Sequence, residues 1–231
     1  KEYINALLKT LEEPPKHVVF ILATTEIDKL PETVVSRCQT FTFKKPSQKI
    51  LKDVVLNIVK KEGFSLEHSS AELVALLGDG SFRDTLGIVQ KVIGSSKDKK
   101  ISVAEVEMAT GAPRGEMVND FILAIVTKDS KKGFGAIHSA SGQNIDMKVF
   151  MKLILQKMRF LLLLRYAPDM AKFVESEVSE HDFTFLKDLA GKKEVAISSA
   201  MLVELLNAYE MIGGAYIPEL PLELVLIKLT Q

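Results

Sequence analysis

Three short phrases hold residues whose types and spacing could do chemistry. Two hydroxyl side chains stand together at Thr24 and Thr25, Arg37 precedes the chain's single cysteine, Cys38, and Arg83 sits in GDGSFRDTL. The threonines follow an unbroken apolar run, Val18 to Ala23, of the length and β-branched content of a strand buried on both faces. Open α/β sheets place their ligand-contacting groups at the carboxyl end of such strands. Arg83 falls in the first turn of an expected helix, where a cation faces the positive end of the macrodipole at a cost of roughly a few tenths of a kcal/mol. That placement suits a residue awaiting an anion.

Each phrase also has a plainer reading. A threonine pair after a strand serves as a turn former or helix cap, Arg37 serves as a solvated or ion-paired surface residue, and Asp84 or another carboxylate neutralises Arg83 locally. Cys38 reads as a small buried hydrophobe, because nothing supplies a histidine base to make it a nucleophile. His17, His68, His138 and His181 are scattered without metal-ligand spacing, so neither a metal site nor a Ser-His-Asp arrangement is expected.

The elements that must position these residues come from periodicity. Residues 1–12 read as an amphipathic helix with Ile4, Leu7, Leu8 and Leu11 on one face, stopped by Pro14-Pro15. It starts without a cap, as if cut inside a domain. The buried strand 18–23 follows, then a short helix begun by Pro31, then an alternating strand over 39–43 with Phe41 and Phe43 on one side. After Lys44-Lys45-Pro46 the pattern turns helical and no convincing strand follows, which places a domain boundary near residue 46.

Ile50, Leu51, Val54, Val55, Ile58 and Val59 lie on one helical face ending at Gly63. Ser69 and Glu72 are spaced for a capping box on a second helix, Ser81 for the cap of a third with Asp84 at its third position, and Ser102 with Glu105 opens a fourth, ended by Gly111 and Pro113. Helical spacing resumes over 115–127, 132–139, 146–165, 182–190 and 197–212, and Pro221 is placed to start a last helix. The 146–165 segment is apolar on more than one face, as expected of a helix central to a bundle or buried against another subunit.

Composition bounds the function. The 231 residues, 47% hydrophobic, can bury a sizeable core. Thirty basic and thirty acidic residues cancel, so no overall field attracts nucleic acid or an anionic membrane. Lysine clusters at 97–100, 131–132 and 192–193 read as solvated surface. One cysteine excludes an intrachain disulfide, and the run Phe160 to Leu164 is far short of the ~20 residues a membrane span needs. A soluble protein in a reducing, cytoplasmic setting is expected.

LKTLEEPP, an apolar strand, ATT and LPETVVSRC together resemble the nucleotide-binding domain of clamp-loader ATPases of the AAA+ superfamily, of the gamma/tau type of bacterial DNA polymerase III. GSFRD is similar to that family's sensor 2 motif, and the closing ELPLELVLIK resembles the end of its collar domain. The resemblance implies a mainly α chain: the C-terminal remnant of an α/β AAA+ nucleotide-binding domain over 1–45, a small helical lid over 46–112, and an all-α collar that oligomerises over 113–231. It also implies roles. Thr25, with Thr24 beside it, matches sensor 1, Arg37 matches the arginine finger that enters a neighbouring subunit's site, and Arg83 matches the sensor 2 arginine that reaches nucleotide phosphates.

The same resemblance implies ATP and Mg²⁺ in the intact protein. Its partners are other clamp-loader subunits (delta, delta-prime and gamma/tau copies), the sliding clamp, and primed DNA through the assembled complex, with no membrane. A G-x-x-x-x-G-K-[ST] loop and an acidic Walker B strand are absent from these 231 residues, as is the family's four-cysteine zinc module. The chain by itself is therefore expected neither to bind ATP tightly nor to hydrolyse it. Two alternatives stand beside this reading: a delta-prime subunit without ATPase activity, and a helical interaction scaffold with no nucleotide role.

Overall fold

The computed structural model describes residues 10–96, 98–192, 195 and 197–231. It is mainly helical and divides into two compact units, Lys1–Lys44 and Lys45–Gln231. The helix expected over 1–12 lies outside the described residues except for its last turn, residues 10–12, which is helical.

In the first unit the strand expectations fail. Residues 18–23 and 39–43 form no strand, and Val19, Ile21, Phe41 and Phe43 are 86%, 88%, 69% and 95% exposed. A strand takes its hydrogen bonds from neighbours, and a run apolar on both faces is buried only by layers packed on both sides. No described residue supplies either to these runs. A 3-10 turn, Ile27–Lys29, leads to the short helix α1, Glu32–Val35, with Pro31 as its N-cap and Val34 as its one buried residue.

The second unit is built as the helical periodicity dictates. Helix α2, Gln48–Lys61, starts where the Ser47 hydroxyl accepts the Ile50 N–H. It buries Leu51, Val55 and Val59, one turn apart, each contributing roughly 1.5–3 kcal/mol over an exposed side chain. Gly63, at φ +78°, turns the chain out of it. Ser65–Leu66 (β1) pairs in parallel with Lys100–Ile101 (β2), a two-residue ladder too short to show in any periodicity.

Between those strands lie α3, His68–Leu77, and α4, Phe82–Ser95. The capping box expected at Ser69 and Glu72 does not form. Helix α3 starts two residues earlier than that cap would place it, its N-cap Glu67 makes no side-chain bond, and Glu72 turns instead to Lys52 of α2. The expected caps of the next helices do form: Ser81 accepts from the Asp84 N–H, and Ser102 and Glu105 make a full capping box on α5, Val103–Thr110, which Gly111 ends in the left-handed conformation.

Helices α6, Gly115–Thr127, and α7, Ser130–Gly142, pair with each other and with the long α8, Met147–Tyr166. Phe150, Leu153, Ile154, Met158, Phe160 and Leu161 of α8 are buried, so the helix is central to the bundle as its all-round apolar character requires. Phe150 meets Phe121 of α6 edge to face, ring centroids 5.8 Å apart. A short helix that periodicity did not reveal, α9, Ala171–Glu177, packs on α3 and α8. Then α10, Glu180–Gly191, α11, Ser199–Ile212, and α12, Leu220–Thr230, complete the unit, α12 with Pro221 in its first turn.

Helices from the segment read as lid and from the segment read as collar thus lie in one compact unit. Lys99, Lys100, Lys131, Lys132 and Lys192 are exposed, as solvated clusters should be, while Lys97 and Lys193 fall outside the described residues. No helix among the described residues is long and apolar enough to cross a membrane.

Candidate functional site

Thr24, Thr25 and Arg37 belong to the first unit and Arg83 to the second. Both threonines are exposed. The Thr24 hydroxyl accepts the backbone N–H of Glu26 at 3.0 Å, closing a local turn.

Arg37 follows the single turn of α1. Its Nη1 donates to the Thr33 carbonyl at 2.8 Å, which seats the base of the guanidinium on the helix it follows. Its Nη2 reaches Glu12 Oε1 at 2.8 Å, with the two side chains 38% and 49% exposed. A pair that open to water is worth about 0–1 kcal/mol. It holds the guanidinium in place yet yields readily to a competing anion. Cys38 is only half-buried, a correction to the buried hydrophobe expected from its neighbours, because the apolar segments flanking it are themselves exposed.

Arg83 is the second residue of α4 and is exposed. The Asp84 backbone N–H is taken by Ser81 Oγ at 3.2 Å. No carboxylate among the described residues comes within ion-pair distance of Arg83, so the local neutralisation by Asp84 does not occur.

The loop ahead of α4 is tightly shaped. Asp79 and Gly80 both take positive φ, +48° and +76°, and a Cβ on Gly78 would lie 1.9 Å from Thr85 Oγ1. Lys152 of α8 holds Asp79 at 2.8 Å, and that hydrogen bond keeps the carboxyl below its usual range. The N-terminal turn carrying Arg83 is thereby anchored to the bundle on one side and open on the other.

Two buried polar clusters escaped sequence reasoning. In the first, Lys52 Nζ lies 2.6 Å from Glu177 Oε1 and 3.5 Å from Glu72 Oε2, while Gln156 Nε2 donates to Glu72 Oε1 at 3.1 Å. In the second, Lys157 Nζ donates to Asp182 at 2.6 Å, Asn119 Oδ1 at 2.9 Å and the Gly115 carbonyl at 3.3 Å. Both lysines stand on the apolar stripe of their own helix, Lys52 beside Leu51 and Val55, Lys157 between Leu153 and Leu161. A charge on a buried stripe needs a partner, and that was the available signal. Among the described residues no group of three or more His, Cys, Asp or Glu could hold a metal ion. A surface groove of about 610 Å³ between the end of α8 and the start of α11 contains none of the four site residues.

A family model described as DNA polymerase III, delta subunit, matches residues 1–47. The DNA polymerase III subunit tau of Bacillus subtilis is 29% identical over 228 residues, 98% of this chain and 40% of that protein. The gamma/tau subunit of Mycobacterium tuberculosis is 28% identical over 97% of this chain and 39% of its own length, and that of Mycoplasma genitalium 34% identical over 64% and 25%. The chain thus spans well under half the length of the curated relatives it matches. Among solved structures, the Bacillus subtilis DNA clamp loader delta protein aligns with a TM-score of 0.43 at 22% identity, covering 98% of this chain and 70% of that one. The relatives set the chain among subunits of bacterial DNA polymerase III. Over nearly its whole length it is similar to the tau and gamma/tau subunits.

Proposed function

We propose that this chain is the part of a gamma/tau subunit that senses nucleotide and assembles the clamp loader, a machine that uses ATP binding and hydrolysis to place the sliding clamp on primed DNA. The observation that carries the reading is the match to tau from Bacillus subtilis over 98% of the chain, together with the SRC and GSFRD phrases it contains. The phosphate-cradling loop and the acidic residue that holds Mg²⁺ come from outside these 231 residues. Thr25, with Thr24 beside it, acts as sensor 1 toward the nucleotide of its own subunit, and Arg83 reads the phosphates of that nucleotide. Arg37 acts in trans as an arginine finger on a neighbouring subunit. Residues 113–231 act as the collar that brings gamma/tau copies, delta and delta-prime together.

Phosphoryl transfer needs positioned charge more than covalent help from the protein. Arg37 suits that task, because its guanidinium is held by one carbonyl and one exposed carboxylate that an incoming phosphate can displace. An arginine supplied in trans is worth roughly 10³–10⁵ in rate in nucleotide hydrolases. Arg37→Ala in the intact subunit, assembled with its partners, is therefore expected to keep nucleotide binding and lose hydrolysis by about that factor. Hydrolysis at the wild-type rate would sink the assignment. A second reading, a subunit of the delta-prime type without ATPase activity, draws on the match of residues 1–47 to a delta-subunit model. An intact protein that binds no ATP would favour it.

A further inference from the structure

Lys52 of α2 has two carboxylates for one ammonium. Glu177 of α9 approaches it at 2.6 Å and Glu72 of α3 at 3.5 Å, with side-chain exposures of 9%, 16% and 10% for Lys52, Glu177 and Glu72. The two glutamates thus converge on one ammonium, each with an oxygen within 3.5 Å of it. Two ionised carboxylates beside one lysine leave an uncompensated negative charge, which is costly where water is mostly excluded. Two acceptor-only groups, moreover, cannot hydrogen-bond without a proton between them.

We propose that Glu72 and Glu177 share one proton beside Lys52, and that this proton locks α3 to α9. The join between the helices of residues 48–110 and those of residues 147–191 then loosens when the proton leaves.

The surroundings favour this placement. Gln156 of α8 donates to Glu72 Oε1 at 3.1 Å, which leaves Glu72 Oε2 as the atom facing Lys52. The other charged groups at the joint are His68 on α3, which acts favourably on the ionised Glu177, and Glu107 of α5, Lys157 of α8 and Asp182 of α10, which line the adjoining cavity. That cavity, of about 60 Å³, borders Glu72 and Glu177 and exceeds the roughly 10–15 Å³ that one water needs, so a water can sit against the pair, and the Glu177 side chain is itself 16% exposed. Burial, reinforced by Glu177 and opposed by Lys52, pushes Glu72 up to about 7. Burial also acts to raise Glu177, but hydrogen bonds from Lys52 and Glu72 hold it below its ordinary value. Glu72 is therefore the carboxylic acid that donates, and Glu177 the carboxylate that accepts.

The sign follows. A carboxyl whose folded value is raised binds more protons folded than unfolded, so its contribution to stability is complete below its unfolded value and is lost as pH rises through its folded value. Here that window runs from about 4.5 to about 7.

Carboxyl ¹³C NMR of the 231-residue chain tests the proton directly. Glu72, assigned by its disappearance in Glu72→Gln, is expected to be still largely protonated at pH 6, and a fully ionised Glu72 at that pH would overturn the proposal. Should the variant not fold, assignment from the wild-type backbone keeps this reading intact. Hydrogen exchange tests the lock. Between pH 5 and pH 8 the opening equilibrium of α3 and α9, corrected for intrinsic exchange, is expected to rise by more than about tenfold in the wild type. It should stay flat in Glu72→Gln, whose amide donates as the protonated acid does. Glu107→Gln, which removes the other carboxyl that burial raises, should retain the rise. An equal rise in Glu72→Gln and wild type, or one spread evenly over all helices, would overturn the lock.

Discussion

Lys157 and Asp182 meet across the packing of α8 on α10 with Nζ 2.6 Å from Oδ1 and side chains only 8% and 16% exposed. Asn119 of α6 bridges them, accepting from Lys157 and donating to Asp182 at 2.9 Å each. One buried ion pair thus joins three helices. Burial pulls Lys157 down, and the Asp182 charge and hydrogen bond oppose that pull. Burial likewise acts to raise Asp182, but Lys157, Asn119 and Ser179 hold it below its ordinary value.

Removing one partner strands the other. Asp182→Ala is expected to cost on the order of 3–5 kcal/mol in urea unfolding, because the Lys157 ammonium loses its only counter-ion within 4 Å among the described residues. Replacing both by Met and Leu should come much closer to wild type. The pH sign is opposite to that of Glu72. With a folded value lowered from 3.8, Asp182 contributes stability above pH 3.8 that is lost as pH falls through its folded value. Wild type should accordingly weaken in acid more steeply than the double variant. Equal stability of Asp182→Ala and wild type at pH 7 would refute the account.

The turn before α4 leads to a second expectation. In Gly78→Ala the new Cβ would lie 1.9 Å from Thr85 Oγ1 and 3.1 Å from the Thr85 backbone, so a side-chain rotation cannot relieve the clash. A loss of about 1–3 kcal/mol is expected on thermal or urea unfolding. The shift should open the first turn of α4, visible as faster amide exchange at Thr85, whose N–H and hydroxyl both bond the Ser81 carbonyl.

Arg83 should behave in the opposite way. It is exposed and has no ion-pair partner among the described residues, so Arg83→Ala should leave the unfolding midpoint of this chain within about 0.5 kcal/mol of wild type. In the intact subunit it should weaken ATP by about tenfold or more, the scale of a lost charge-assisted contact. Fluorescent-nucleotide titration measures that change, and unaltered affinity would remove Arg83 from the nucleotide site.

Much of the helical unit was written in local order. Ser81 and Ser102 cap the helices their positions announced, and the all-round apolar run of α8 became the centre of the bundle. These features depend on residues three or four apart, which a helix brings together by itself. Glu72 shows where that logic stops. At capping-box spacing from Ser69, it bonds instead to Lys52 and Gln156, 20 and 84 residues away. Those partners exist only after α2 and α8 have been placed.

The first unit draws the same line from the other side. Composition and alternation marked residues 18–23 and 39–43 as strand material, yet Val19 and Phe43 lie in water, since a strand is defined by the neighbour that pairs with it. By itself the sequence determined most of the helices, the caps at Ser81 and Ser102 and the phrases containing Thr24, Thr25, Arg37 and Arg83. Only the tertiary structure decided that Arg83 stands unpaired among the described residues, that Arg37 rests on Thr33 and Glu12, and that Lys52 and Lys157 lie buried against their carboxylates. The physical reason is range: backbone hydrogen bonds and caps are satisfied within a turn, whereas buried charges are satisfied only by helices that the chain brings back from far along its length.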